Sequence, residues 1–436
     1  MMKRYFSSLI LAAGLATGAS AQNFTVVLND GSTHTFENDK VERIEFTAGN
    51  STGATTDLSA DEMANCYIVQ APGKYKFKAD NQFNLGDGLP VPPKINPVSA
   101  KLVWQTVKGS VKDVRLVKSG AAPYIEIEVA QASGSALVAA LDDAGNIVWS
   151  WHIWMPETQV GSVTTSTGYE VMNINLGAAN NTPGDAKSYG MLYQWGRKDP
   201  FPAAATLTGD TYTVSAPMYD IDNNPVTISN SPWTSNTNNT IEYSIANPTV
   251  CLSNYYQYST SRDWLAQSDD TLWGNPRGYD PNGGADKFSE KGRKTCYDPS
   301  PAGWRVAPAD AFSDFTSSGG YAWDFASFNV DDINRDGQVN IDDYNYGWHF
   351  IVNDGESLYF PAAARFDGSY AMLMGSMSGL WGSYWSNSPN SSVAGGGFCN
   401  LSFQVRDQTG KEAISISPSG AASKADAYSV RCIRDN

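Results

Sequence analysis

The sequence predicts a β-rich α+β chain, an N-terminal β-sandwich followed by a larger and less regular domain. Long amphipathic helical patterns are scarce, and short strand-like runs separated by Gly, Pro, Asn and Asp dominate. In the first half these runs recur at short, regular spacing with turn residues between them, the pattern of a sandwich. Aromatic residues are plentiful, with 13 Trp, 22 Tyr and 17 Phe, enough for cores and for a binding face. A chain of 436 residues exceeds what one core usually supports, so more than one domain is expected.

The N-terminus comes first. Met1-Met2-Lys3-Arg4 is a positive start, Leu9 to Leu15 an apolar stretch, and Ala19-Ser20-Ala21 an A-x-A site. That order reads as a cleavable secretory signal over residues 1–21, too short in its apolar part to span a bilayer. No Cys follows it to take a lipid, so a secreted chain, or one held at the outer cell surface by partners, is expected.

Residues 22–60 read as a small β unit and linker. Phe24 to Leu28 and the alternating run Val41 to Phe46 are its strands, and 49–60 is rich in Gly, Ser and Thr. Residues 61–157 read as the sandwich. Its strands are expected at 66–69, 74–77, 100–104, 124–129, 135–140 and 147–154, with Asp143-Ala144-Gly145-Asn146 turning between the last two. Residues 160–436 read as the second domain. Short helices are expected at Ser188–Trp195 and Asp310–Phe315, with strands and long loops elsewhere.

Composition removes several function classes. The formal net charge is −15, which disfavours nucleic acid and anionic membrane as partners. No later segment is apolar enough for an integral membrane helix. The three histidines, His34, His152 and His349, have no Cys or His partner at ligand spacing. No nucleophile elbow, zincin helix or Walker loop occurs, so no catalytic residues are assigned. The cysteines are Cys66, Cys251, Cys296, Cys399 and Cys432. Export permits disulfides, and the odd count leaves one thiol over.

One motif carries its own chemistry. Residues 332–343 fit the twelve-residue calcium loop, which needs oxygen donors at alternate positions and a glycine at the sharp turn. Asp332, Asn334 and Asp336 stand at positions 1, 3 and 5, and Gly337 at position 6. Gln338 at position 7 would offer its backbone carbonyl, Asn340 stands at position 9 and Asp343 at position 12. Calcium is the expected cofactor. Tyr344 to Phe350 reads as a strand, so the loop is isolated rather than set between two helices. The plainer alternative is an acidic turn without metal.

Family motifs run through most of the chain. Asn65-Cys66-Tyr67-Ile68-Val69, Pro72 to Phe77, Ala100 to Trp104 and Trp149 to Trp154 resemble a β domain of secreted Bacteroidetes surface proteins. Residues 170–436 resemble the Fibrobacter succinogenes major paralogous domain. They do so through Asn175-Leu176-Gly177-Ala178, Gly190 to Phe201, Tyr297 to Val306, Phe360 to Ala364, Tyr384-Trp385-Ser386 and Ser429 to Arg434. The resemblance implies a C-type-lectin-like fold, akin also to formylglycine-generating enzymes, in a surface binding protein and in some cases a pilus-tip adhesin.

It also bears on the thiols. Relatives carry Asp-Pro-Cys-Pro where this chain has Asp298-Pro299-Ser300-Pro301, so the usual partner of Cys432 is missing and Cys296 is the expected substitute. Cys251 and Cys399 are then the remaining pair, and Cys66 a buried thiol. Trp381 and Trp385, set among Gly and Ser, read first as core aromatics of the lectin-like fold and second as candidates for a ligand groove.

The expectation is a non-enzymatic secreted or cell-surface adhesion protein that recognises a glycan or a partner protein. The rivals are an enzyme or polysaccharide-active accessory protein on the formylglycine-generating-enzyme-like fold, and a pilus subunit.

Overall fold

The structure, a computed structural model, describes residues 23–27, 33–37 and 55–435, apart from 82, 84–88, 121, 209–214, 232–237, 254–261, 275–291, 370–371, 391–395 and 407–411. The expected signal over 1–21 and the strand expected at 41–46 lie outside the described residues. The chain forms two compact units, Met1–Thr52 and Gly53–Asn436. In the first, β1 (Asn23–Val27) and β2 (Thr33–Glu37) pair antiparallel, Asn23 opposite Glu37.

The second unit is β-rich, with one α-helix among the described residues, Ile241–Ala246. β3 (Thr56–Asp57), β5 (Gly73–Lys78), β8 (Ala122–Val129) and β7 (Val111–Ser119) form one sheet in that order. β4 (Cys66–Ile68), β10 (Ile147–Met155), β9 (Gly134–Leu141) and β6 (Ser99–Gln105) are consecutive in a second, extended by Met218–Tyr219 and Pro225–Val226. The turn between β9 and β10 falls where expected. Asp142 Oδ1 accepts from the N–H groups of Ala144 and Asn146, and Gly145 takes the positive φ such a turn needs.

The two sheets share a core because their inward rows are apolar. Phe77 of β5 lies 5.3 Å from Trp151 of β10 and 5.1 Å from Tyr67 of β4, centroid to centroid. β9 and β10 are buried on both faces, which is why β10 reads as a continuous apolar run rather than an alternation. Trp149, Trp151 and Trp154 are all fully buried. A Phe→Ala change at such a site costs about 3–5 kcal/mol.

That core continues into the second half of the chain. Trp195, Trp273, Trp304, Trp385 and Val430 belong to the same cluster as Trp104 and Trp151. The expected helix at Ser188–Trp195 is instead a 3₁₀ turn, Ala186–Ser188, followed by the strand Met191–Gln194. Gly190 lies between them at φ +75°, where an added Cβ would meet the Leu176 carbonyl oxygen at 2.6 Å. All four strand residues are buried, so the side-chain period gave no sign of the element type. At Asp310–Phe315 only the last turn, Ser313–Phe315, is helical, and it is 3₁₀.

Met191–Gln194 pairs with Ala427–Val430, which runs parallel to Trp381–Asn390. Trp381–Asn390 forms a long hairpin with Gly396–Arg406, and Glu412–Ser417 closes that side of the sheet. A second hairpin, Gly347–Asn353 with Glu356–Pro361, presents Trp348, Phe350 and Phe360 to a separate core.

Candidate functional site

The loop at 332–343 hangs from that second core. Val330 bridges to Phe350 just before it, and Tyr344 lies on Trp348 at 4.9 Å just after it. Val339, at position 8, packs inward on the same cluster. Between these anchors the chain turns tightly, with Arg335 at φ +60° and Gly337 at φ +88°. A side chain at Gly337 would have open space, so conformation alone selects glycine there.

All six candidate ligand positions meet in one hydrogen-bond network. Asp332 accepts from the N–H groups of Asp336 and Gly337 at 3.2 and 2.8 Å. Asn334 Oδ1 accepts from Asp336 N–H, and Asp336 Oδ1 accepts from Gln338 N–H, at 2.8 and 2.9 Å. The Gln338 carbonyl accepts from Asn340 Nδ2 at 3.1 Å, so it faces inward. Asp343, 2% exposed, spans the loop by accepting from Asn334 N–H at 3.1 Å and Asn340 N–H at 3.0 Å. Asn334 and Asn340 both donate to Asp336 Oδ2.

Among the described residues the partners of these three carboxylates are backbone N–H groups and amides. Among the described residues no group of three or more His, Cys, Asp or Glu side chains is placed to hold a metal. The set here is mixed, three carboxylates with two amides and a carbonyl. Hard oxygen donors of this kind suit calcium, which takes six to eight of them.

The thiols are placed differently from expectation. Cys66, Cys251, Cys296 and Cys432 are free and buried, so neither Cys296–Cys432 nor Cys251–Cys399 is bonded. The side chain of Cys399 lies outside the described residues. Cys296 Sγ donates to the Pro90 carbonyl at 3.3 Å. Cys432 faces Ser300 instead, Sγ to Oγ 3.2 Å. Burial pushes the thiols of Cys251, Cys296 and Cys432 up to about 12, which leaves them protonated and unreactive.

Trp385 does not line a groove. It is fully buried, its Nε1 donates to the Tyr193 carbonyl at 2.7 Å, and its ring lies 4.4 Å from Tyr428. Pairing of its strand with Val430 puts it inside. Trp381 is half-buried, donates to the Arg406 carbonyl at 2.7 Å, and carries the Arg365 guanidinium 5.7 Å over its ring.

A Cys–His pair that sequence spacing did not reveal sits in the first core. His152 Nδ1 faces the Tyr193 hydroxyl at 3.2 Å and Cys66 Sγ at 3.6 Å, and Nε2 faces Ser135 Oγ at 2.9 Å. Burial lowers the imidazole to about 3 and raises the thiol. The pair is therefore neutral and structural, the reverse of an activated nucleophile. A cavity of about 170 Å³ between Leu58, Tyr67, Ile68, Pro301 and Ala302 is apolar and smaller than ordinary ligand pockets of about 300–1,000 Å³.

Sequence reading also passed over the two exposed aromatics, Tyr321 and Trp323, whose rings meet edge to face at 4.6 Å. The alternation Tyr-Ala-Trp after Gly319-Gly320 is the signal: two aromatics on one side of an extended segment and a small residue on the other.

No family model, curated protein or solved structure matches this chain.

Proposed function

We propose that this chain is a secreted or cell-surface binding protein without turnover, a β-sandwich followed by a C-type-lectin-like domain. Its ligand is a glycan or a protein at the cell surface, and calcium in the loop at 332–343 braces the binding domain.

The observation that carries this reading is the loop network. Six oxygen-bearing positions spaced for calcium share one hydrogen-bond network, and the three carboxylates among them are partnered there by N–H groups and amides. Asp332, Asn334, Asp336, Asn340 and Asp343 would hold the ion with the Gln338 carbonyl. Calcium supplies charge balance there. Even a weak site fills at extracellular calcium of about 10⁻³ M. The place of Ser300 opposite Cys432, where the resembled family carries Cys, agrees with the lectin-like assignment.

A glycan and matrix-protein array, probed with calcium and with chelator beside an assay for released sugar, tests the function. Binding without product is expected. Release of product would favour the enzymatic rival, and no binding to any arrayed ligand would count against the reading.

A further inference from the structure

We propose that Tyr321 and Trp323 form a stacking site for a neutral glycan. This deepens the binding role above and rests on it for exposure to such ligands.

The pair stands out by exposure. Trp323 is 68% exposed and Tyr321 54%. They are the only exposed aromatic side chains among the described residues. Large apolar side chains left in water, where nearly every other tryptophan among the described residues is buried, mark an interaction site.

The pair is also held in place. Ala322, between them, is 4% exposed and exchanges two backbone hydrogen bonds with Ile416 at 2.9 and 3.0 Å, which fastens the segment to a sheet edge. Thr316 bridges to Phe328, and Ser317 N–H donates to the Ser327 carbonyl, closing the segment at its base. Asp324 caps the following 3₁₀ turn through Ser327. With Ala322 turned inward, both aromatics point outward. Their interplanar angle of 82° makes a corner, one ring a floor and the other a wall. A pre-fixed corner loses little entropy on binding.

Charge selects the ligand class. From Val306 to Asn334 the chain has no Lys, Arg or His but has Asp310, Asp314, Asp324, Asp331 and Asp332. Phosphate, sulfate and uronate are repelled there. Size argues against a protein partner, because a stable interface needs about 800 Å² per side, and the pair's neighbours along the chain, Ser317 to Gly320 and Asp324, are small or polar. Hydroxyls and carboxylates beside two rings suit a sugar, whose C–H face covers an aromatic while its hydroxyls meet polar neighbours. One such corner binds weakly, and a polymer engages many copies at a surface at once.

The test is affinity electrophoresis of the full chain through gels holding a neutral β-glucan, a neutral mannan, a neutral xylan or anionic polygalacturonate. Tryptophan fluorescence titration with the same polymers gives affinities. Retardation by at least one neutral polymer is expected, unchanged by 0.5 M salt, with about tenfold loss in Trp323→Ala, a smaller loss in Tyr321→Ala and partial recovery in Trp323→Phe. Unchanged melting of Trp323→Ala keeps the comparison clean. Retardation by no neutral polymer, by polygalacturonate alone, or equally in wild type and Trp323→Ala overturns the site. Calcium-dependent melting is read on the same samples. Glycan binding without a calcium effect would sink the calcium brace and leave this site standing. A calcium effect without glycan binding would do the opposite.

Discussion

The Cys432 thiol donates to the Ser300 hydroxyl across 3.2 Å in the core, at a sequence separation of 132 residues. Ser300→Cys should therefore close a disulfide with Cys432. A loop of that size stabilises by up to about 4–5 kcal/mol. Non-reducing peptide mapping should show the 300–432 link, and melting should rise and fall back with reductant. A free thiol at 300 after oxidation would contradict the geometry.

His152 gives a pH signature. Its imidazole is held to about 3 when folded and near 6.5 when unfolded. Between those values the unfolded chain binds a proton that the folded chain does not, so this residue's contribution is complete above about 6.5 and is lost as pH falls toward 3. The most it contributes is about 5 kcal/mol. Urea unfolding of wild type and His152→Gln from pH 7 to 4 should show a gap in pH slope between them. Parallel slopes would refute it.

The proposed calcium site predicts linked stability. At calcium a hundredfold above Kd, wild type should gain about 2.7 kcal/mol, and the Asp332→Ala/Asp336→Ala double variant should gain none. Calorimetric titration of metal-free protein with calcium reads the same difference as heat. Asp343→Ala should also destabilise without calcium, because it strands two N–H groups, at about 1–3 kcal/mol.

Arg431 is fully buried. It donates to Asn175 Oδ1, the Met172 carbonyl and the Tyr359 carbonyl at 2.8–3.1 Å, with its guanidinium 4.1 Å over Phe360. Burial lowers its pKa to about 10. Lysine has no planar fork to reach three acceptors at once. Arg431→Lys should cost about 3 kcal/mol by chemical denaturation, with the midpoint shifted and the slope kept.

What the sequence disclosed depended on range. The turn network at 332–343 was legible because its side-chain oxygens lie within twelve residues and local turns link them to nearby N–H groups. The hairpin at Asp142–Asn146 was legible for the same reason. Cysteine pairing was not, because which residue faces Cys432 is decided by strands far apart in the chain. For Trp385 the Gly- and Ser-rich neighbours left a groove open beside the favoured core reading, and pairing of its strand with Ala427–Val430 decides for the core. Met191–Gln194 misled because burial on both faces erases the side-chain period. Tyr321 and Trp323 needed sight of Ala322 against Ile416 to be told from ordinary strand alternation.

Cys66, on the fourth strand, bridges to Pro301, and Cys432, on the last strand, touches Ser300. The Ser300-Pro301 dipeptide thus ties β4, in one sheet, to the strand Cys432–Arg434, in another, so a substitution at either residue reaches two sheets at once.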